Sequence, residues 1–127
     1  MNLEKVVFGF FILLALTLNF GFFIGDIGDP DHHNVYEFFA ALVVNLIATV
    51  MKFGDRTHIG ALLLASGLVA DLQLFAAALV WAIAIYAMNL GMTEAVTASI
   101  VSLAGGALLA NVVSVTLLIV ETVSLQR

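Results

Sequence analysis

An all-α integral membrane protein with four transmembrane helices is the fold class this sequence predicts, on three observations. The 127 residues are 63% hydrophobic and 10% charged, with a mean hydropathy of +1.16, more apolar surface than a soluble domain of this size can bury. The apolar runs number four, each at least the roughly 17 residues needed to cross a bilayer core. The segments between them are short and polar, so residues 1–127 read as a single transmembrane domain with no separate soluble part. Cysteine is absent, which excludes disulfide and thiol chemistry.

Helix 1 is expected over residues 6–25, opening after Lys5 and closing at the turn-rich Gly25-Asp26-Ile27-Gly28-Asp29-Pro30-Asp31. Helix 2, residues 36–53, ends at the tight polar loop Gly54-Asp55-Arg56. Helix 3, residues 59–88, stops at Asn89-Leu90-Gly91, and helix 4, residues 93–122, begins at Thr93-Glu94. Thirty residues give roughly 45 Å of helix against ~30 Å of hydrocarbon, so helices 3 and 4 must tilt, protrude or break. Gly67, four residues before Asp71, is a place where helix 3 can break into a re-entrant segment; no proline enforces it, and the continuous form stands beside it. Helix 1 lacks a small-residue cleavage site and is followed by further spans, which argues against a removable signal peptide.

Lys5, Lys52, Arg56 and Arg127 all fall on one side of an even number of spans, and the excess of Lys and Arg on cytoplasmic loops places both termini inside. The opposite side receives Asp26, Asp29, Asp31, His32, His33, Glu37 and Glu94. The first outer loop is acidic, with no Lys or Arg to balance it.

Four polar residues interrupt the spans: Asn19, Asn45, Asp71 and Asn111. Counted from the cytoplasmic ends at about 1.5 Å per residue, they lie roughly 20, 12, 18 and 17 Å deep, near the middle of a ~30 Å core. An Asn at that depth can serve as glue between helices at about 1 kcal/mol per hydrogen bond. Asp71 is dearer, at about 2.5–3.5 kcal/mol or more on insertion scales, and calls for a cation or proton role. Lys52 can snorkel, so a direct pair with Asp71 is one option.

The helical period places these residues on definite faces. Glu37, Ala41, Asn45, Ala48, Thr49 and Lys52 form one small and polar stripe along helix 2. Thr97, Ala104, Ala107, Asn111, Ser114 and Glu121 form another on helix 4, beside Gly105-Gly106. On helix 3, Gly60, Gly67, Asp71 and Ala78 share a side, while Gln73 points about 200° from Asp71, so two faces want protein surroundings. Helix 1 carries Phe8, Phe10, Phe11, Phe20, Phe22 and Phe23, read as a lipid-facing wall, and Gly21-x-x-x-Gly25, read as a packing notch. Tyr86 suits an interfacial anchor.

The stretch Asn45-Leu46-Ile47-Ala48-Thr49-Val50-Met51-Lys52-Phe53-Gly54 resembles part of the first helix of the small multidrug-resistance transporters, which are also short four-helix proteins. Here it covers ten residues of helix 2, and Asn45 stands where that family carries its essential membrane glutamate. The resemblance therefore implies no site residue.

Asp29, Asp31, His32 and His33 supply oxygen and nitrogen that can ligate a divalent metal, although their spacing matches no established loop. No enzyme is expected: His32 and His33 fall on the opposite side from His58, and no nucleophile elbow, phosphate loop or metalloprotease helix occurs. The expected function is a homo-oligomeric cation channel or facilitator, favouring monovalent cations slightly. Asp71, Asn45, Asn111, Asn19, Thr49 and Ser114 would line its path, and Asp26, Asp29, Asp31 and Glu37 its acidic outer mouth. The alternatives are a proton-coupled small-solute transporter with Asp71 as the titrating group, and a noncatalytic membrane scaffold or accessory subunit. Lipid, further copies of the chain and a cation are the expected partners. Four basic residues make no tract for nucleic acid. No cofactor is expected, and the location expected is an inner or plasma membrane of prokaryotic type.

Overall fold

The structure, a computed structural model, describes residues 3–89 and 91–125. They form α1 (Leu3–Phe23), α2 (Val35–Lys52), α3 (His58–Ala82) and α4 (Glu94–Leu125), with a 3-10 turn at Pro30–His32 and a π-helical turn at Ile83–Ala87 that prolongs α3. All four helices are long and apolar enough to cross a membrane, as expected for a multi-pass membrane protein. Each packs against its neighbours in sequence, and α1 closes the ring against α4.

The helix ends follow local chemistry. Asn34 caps α2, its side-chain oxygen accepting from the Tyr36 N–H at 2.8 Å. The Thr57 hydroxyl accepts from the Gly60 N–H at 2.9 Å to start α3, and the Thr93 hydroxyl from the Val96 N–H at 3.2 Å to start α4. At the end of α1, Gly25 takes φ +107°, a conformation open to glycine, and turns the chain out of the helix two residues after Phe23. The expected helix end at Gly25 and the Gly21-x-x-x-Gly25 notch are corrected accordingly: only Gly21 lies on α1, where the Glu37 carboxyl of α2 occupies the space a Cβ would fill.

α3 runs unbroken through Gly67 and Asp71, so the re-entrant form is not adopted. Its irregularity comes later, at the π turn, after which Asn89 at φ +53° reverses the chain.

Two apolar cores fill the bundle. Near the Asp26 end, Phe22, Phe38, Leu74, Ile100 and Val101 pack with small residues of α2, α3 and α4. Near the Lys52 end, Phe8, Ile12, Ala48 and Leu63 form the second. Phe8 and Phe22 are thus core residues, whereas Phe10 and Phe20 are exposed, which corrects the single lipid-facing wall. The reason is spacing: Phe8, Ile12, Ala15, Asn19 and Phe22 recur at four and three residues and share the inner face of α1. Trp81 packs on Phe38 and Phe39 of α2, with ring centres 5.7 and 5.8 Å away.

Candidate functional site

Between the two cores lies a belt of polar side chains supplied by all four helices. Asn19, Asn45, Thr49, Asp71, Asn111 and Ser114 are each at most 6% exposed, so the expected path residues all turn into the bundle of a single protomer. Thr49 and Asn45 are tied to their own helix, with the Thr49 hydroxyl donating to the Asn45 carbonyl and the Asn45 amide to that of Ala41, both at 2.8 Å. Asn45, Thr49, Asn111 and Ser114 line an internal cavity of about 10 Å³ together with Phe8 and Gly67, space for about one water.

On the α1–α4 side the belt is closed by hydrogen bonds. With the Asn19 amide turned to suit its neighbours, its nitrogen donates to the Ala104 carbonyl at 3.3 Å. Its oxygen accepts from the Asn111 amide at 3.3 Å and from the Leu108 N–H at 3.0 Å. Ser114 meets Ser66 of α3, Oγ to Oγ, at 2.6 Å. Gln73 lies against Gly106 of α4, where a Cβ would stand 2.7 Å from its Oε1. The second polar face expected on α3 is therefore the one turned to α4.

On the α2–α3 side the balance is open. Gly67 admits Thr49: a Cβ there would stand 2.8 Å from the Thr49 hydroxyl oxygen. Asp71, one turn further along α3, meets that same hydroxyl, because side chains lean toward the N-terminus of their helix. The Thr49 hydroxyl has one proton for two acceptors, the Asn45 carbonyl and Asp71, so it satisfies one at a time unless the acid itself carries a proton and donates to Thr49. The other carboxyl oxygen, Oδ1, is buried with no hydrogen-bond partner among the described residues. Thr97 Oγ1, nearer the Asp26 end, is likewise unpartnered, and nothing in the structure explains it.

The Lys52 end carries a vestibule of about 200 Å³ lined by charged residues, including Glu4, Lys5, Lys52, Asp55 and Glu121, and floored by Phe8. Phe8 also lines the internal cavity and is common to the walls of both. Lys52 sits 4.1 Å above that ring and 3.4 Å from Asp55, which corrects the option of a pair with Asp71. The Thr57 hydroxyl at 2.7 Å and N–H at 3.0 Å both donate to Asp55. These bonds, with Lys52 adding to them, hold its carboxyl below the usual carboxylate range.

At the other end, Asp26, Asp29 and Glu94 line a hollow of about 460 Å³. Of the expected acidic mouth, Glu37 instead faces Gly21, and Asp31 lies on the Pro30–His32 turn, where its N–H donates to Asp29 at 2.9 Å. The four candidate metal ligands do not assemble. His32 Nδ1 accepts from the Asp26 N–H at 2.9 Å, and both ring nitrogens of His33 meet backbone carbonyls. Among the described residues no group of three or more His, Cys, Asp or Glu is placed to hold a metal.

Residues 32–122 match a family described as a family of unknown function, DUF6394. No curated protein and no solved structure matches the chain.

Proposed function

The chain belongs to the DUF6394 family, which supplies no activity to inherit, and from the geometry we propose that it moves a monovalent cation, the proton, through the interior of each protomer. Asp71 is the group that takes it up and releases it. One observation carries this reading: a deep carboxyl with an unpartnered oxygen meets Thr49, and Thr49 lines the internal cavity. An ionisable side chain at that depth is a functional group by default, given what it costs to place it there.

The size of the cavity selects the cation. Space for about one water passes a proton along hydrogen bonds but does not seat a hydrated metal ion. Asn45, Asn111 and Ser114 orient that water, Thr49 accepts a proton from it while turning its own from the Asn45 carbonyl to Asp71, and Asn19 braces Asn111. Protons enter from the Lys52 vestibule past Phe8. Toward the Asp26 end the route is closed by Phe22, Phe38, Leu74 and Ile100, all fully buried, so release there requires that core to part. The cycle is therefore one of alternating access rather than a standing channel. With Lys5, Lys52 and Arg56 on the cytoplasmic side, the acidic hollow faces outward and concentrates cations at the far mouth. Because the route lies inside one protomer, a homo-oligomer multiplies routes instead of forming one around its axis.

Purified protein in liposomes with a trapped pH dye, driven by a potassium gradient and valinomycin, tests this directly. Asp71→Asn is expected to slow proton entry by about tenfold or more, a barrier increase of roughly 1.4 kcal/mol. Equal rates in the two proteins overturn the proposal. A noncatalytic membrane subunit is the second reading. It is favoured by an apolar hollow of about 370 Å³ on the outer faces of α3 and α4, lined by Leu62, Val69, Val113 and Leu117 among others, with room for a partner's side chains. In that case neither protein passes protons.

A further inference from the structure

We propose that His33 is a second proton-binding site, independent of Asp71: charged, its ring clamps the loop of residues 24–33 onto the end of α1, and loss of the proton opens the clamp. The ring is buried, at 7% exposure, and each of its nitrogens faces a backbone carbonyl. Nδ1 is 2.5 Å from the Phe22 oxygen, and Nε2 is 2.7 Å from the Asp26 oxygen. A carbonyl oxygen only accepts. Neutral imidazole has one N–H and one lone pair, so it satisfies one of these contacts and turns a lone pair on the other, whereas imidazolium donates to both. The geometry is that of the charged ring.

The surroundings suit a cation. Phe22 is in the last turn of α1, where unpaired carbonyls and the negative end of the helix dipole favour positive charge. The Phe22 ring lies 5.5 Å from the imidazole, within range of a cation–π contact. The charged and titratable groups about this knot are acidic apart from His32: Asp26, Asp29 and Asp31 in the loop, Glu37 of α2 against Gly21 of α1, and Glu94 of α4 against Gly28. His32 is held separately, with Nδ1 accepting from the Asp26 N–H and Nε2 3.4 Å from Asp29, so a neutral ring with its proton on Nε2 satisfies both contacts.

Both contacts hold while the ring carries its proton, and one of them is lost when the proton leaves. What is lost is one of the two bonds that span the turn, and with it the tie between α1 and the segment leading to Asn34, the cap of α2.

Hydrogen exchange of the full-length protein in detergent, corrected for the intrinsic pH dependence of exchange, reads this out over residues 24–33. Protection in the wild type is expected to fall by about tenfold as His33 deprotonates, the scale of one charge-assisted bond, and this step is expected to vanish in His33→Gln while persisting in His32→Gln. Protection that stays flat with pH, or a step that survives in His33→Gln, overturns the assignment. Should His33→Gln fail to fold, ring-nitrogen NMR of wild-type protein labelled with 15N-histidine decides. Two protonated nitrogens at His33 at acidic pH, giving way to one on titration, support the clamp, and a neutral tautomer throughout overturns it. Proton flux is not part of this readout, so the fate of the Asp71 proposal does not affect it.

Discussion

Asn19 with Asn111, across α1 and α4, and Thr49 with Asp71, across α2 and α3, belong to one belt; Asn111 and Thr49 even line the same cavity. In the first pair every bond closes, onto the partner amide, the Ala104 carbonyl and the Leu108 N–H. In the second, one hydroxyl proton is shared between Asn45 and Asp71, and one carboxyl oxygen has no hydrogen-bond partner among the described residues. Deep polarity that is satisfied fastens helices together. Where it is left open, it costs stability, and Asp71 is the open group to which the proposed proton role is assigned. The contrast separates settled from open polarity within a single layer.

The largest expected effect is an opposite response to removing each side. Asn19→Ala removes three hydrogen bonds, although the Ala104 carbonyl and Leu108 N–H keep their helical bond to each other, and is expected to cost about 2 kcal/mol at roughly 0.6 kcal/mol for each membrane hydrogen bond, as measured by reversible unfolding in mixed micelles. Asp71→Asn keeps the shape and adds an N–H that can donate to Thr49, so stability is expected to hold or rise by up to about 1 kcal/mol while transport is lost. If Asp71→Asn proves as damaging to stability as Asn19→Ala, both pairs are glue and the contrast fails.

The glycines that admit the two polar faces of α3 sharpen the same contrast. A methyl group at Gly67 meets a β-branched Thr49 that cannot swing aside, so Gly67→Ala carries an overpacking cost of about 1–3 kcal/mol against a helix-propensity gain of about 1 kcal/mol. It is expected to lower stability by about 1 kcal/mol on balance and to slow proton flux by pushing Thr49 from Asp71. Gly106→Ala meets only the end of the flexible Gln73 side chain and is expected to be neutral or mildly stabilising. Gly67→Ala that leaves flux untouched breaks the link from Thr49 to Asp71. Smaller again is the Ser66–Ser114 bond. A double-mutant cycle to alanine is expected to return about 0.6 kcal/mol of coupling, with a value near zero removing it from the closed side of the belt.

Much of this layer was legible before any coordinates. The stripes on α2 and α4 identify their buried faces because small and polar residues recur at helical spacing against an apolar background, and all the deep polar residues turn inward as that pattern implies. α1 was harder to read, since its outer face is as apolar as its inner one: Phe8 and Phe10 look alike in composition, and only the four-three spacing through Ile12, Ala15, Asn19 and Phe22 tells them apart. Ser66 was missed because a lone serine carries no signal until Ser114 is seen opposite. The outer loop is legible by its charge but not by its pairing, because nothing in the run Asp31-His32-His33 shows that the turn at Gly25 brings two carbonyls onto one imidazole. Pairing across helices, which decides which group is satisfied, is a tertiary property that periodicity does not contain.

A second Thr–Asp pair, outside the bilayer, gives the smallest effect and the control. Thr57 directs both its hydroxyl and its N–H to Asp55, and the carboxyl is thereby held below its ordinary value near 3.8. A carboxylate whose folded pKa is depressed stabilises the fold above the unfolded value, and that contribution is lost as pH falls through the folded pKa. The unfolding midpoint of the wild type is therefore expected to drop between pH 5 and about pH 3 by slightly more than that of Asp55→Asn, which has no such proton to bind. The difference is expected to be small because the pair is largely solvated. Thr49 has one proton to share between Asp71 and the Asn45 carbonyl, whereas Thr57 gives Asp55 two donors of its own. If Asp55→Asn and the wild type lose stability in parallel, the Thr57 bonds do not govern the Asp55 charge, and the number of donors a threonine offers ceases to distinguish the two carboxyl groups.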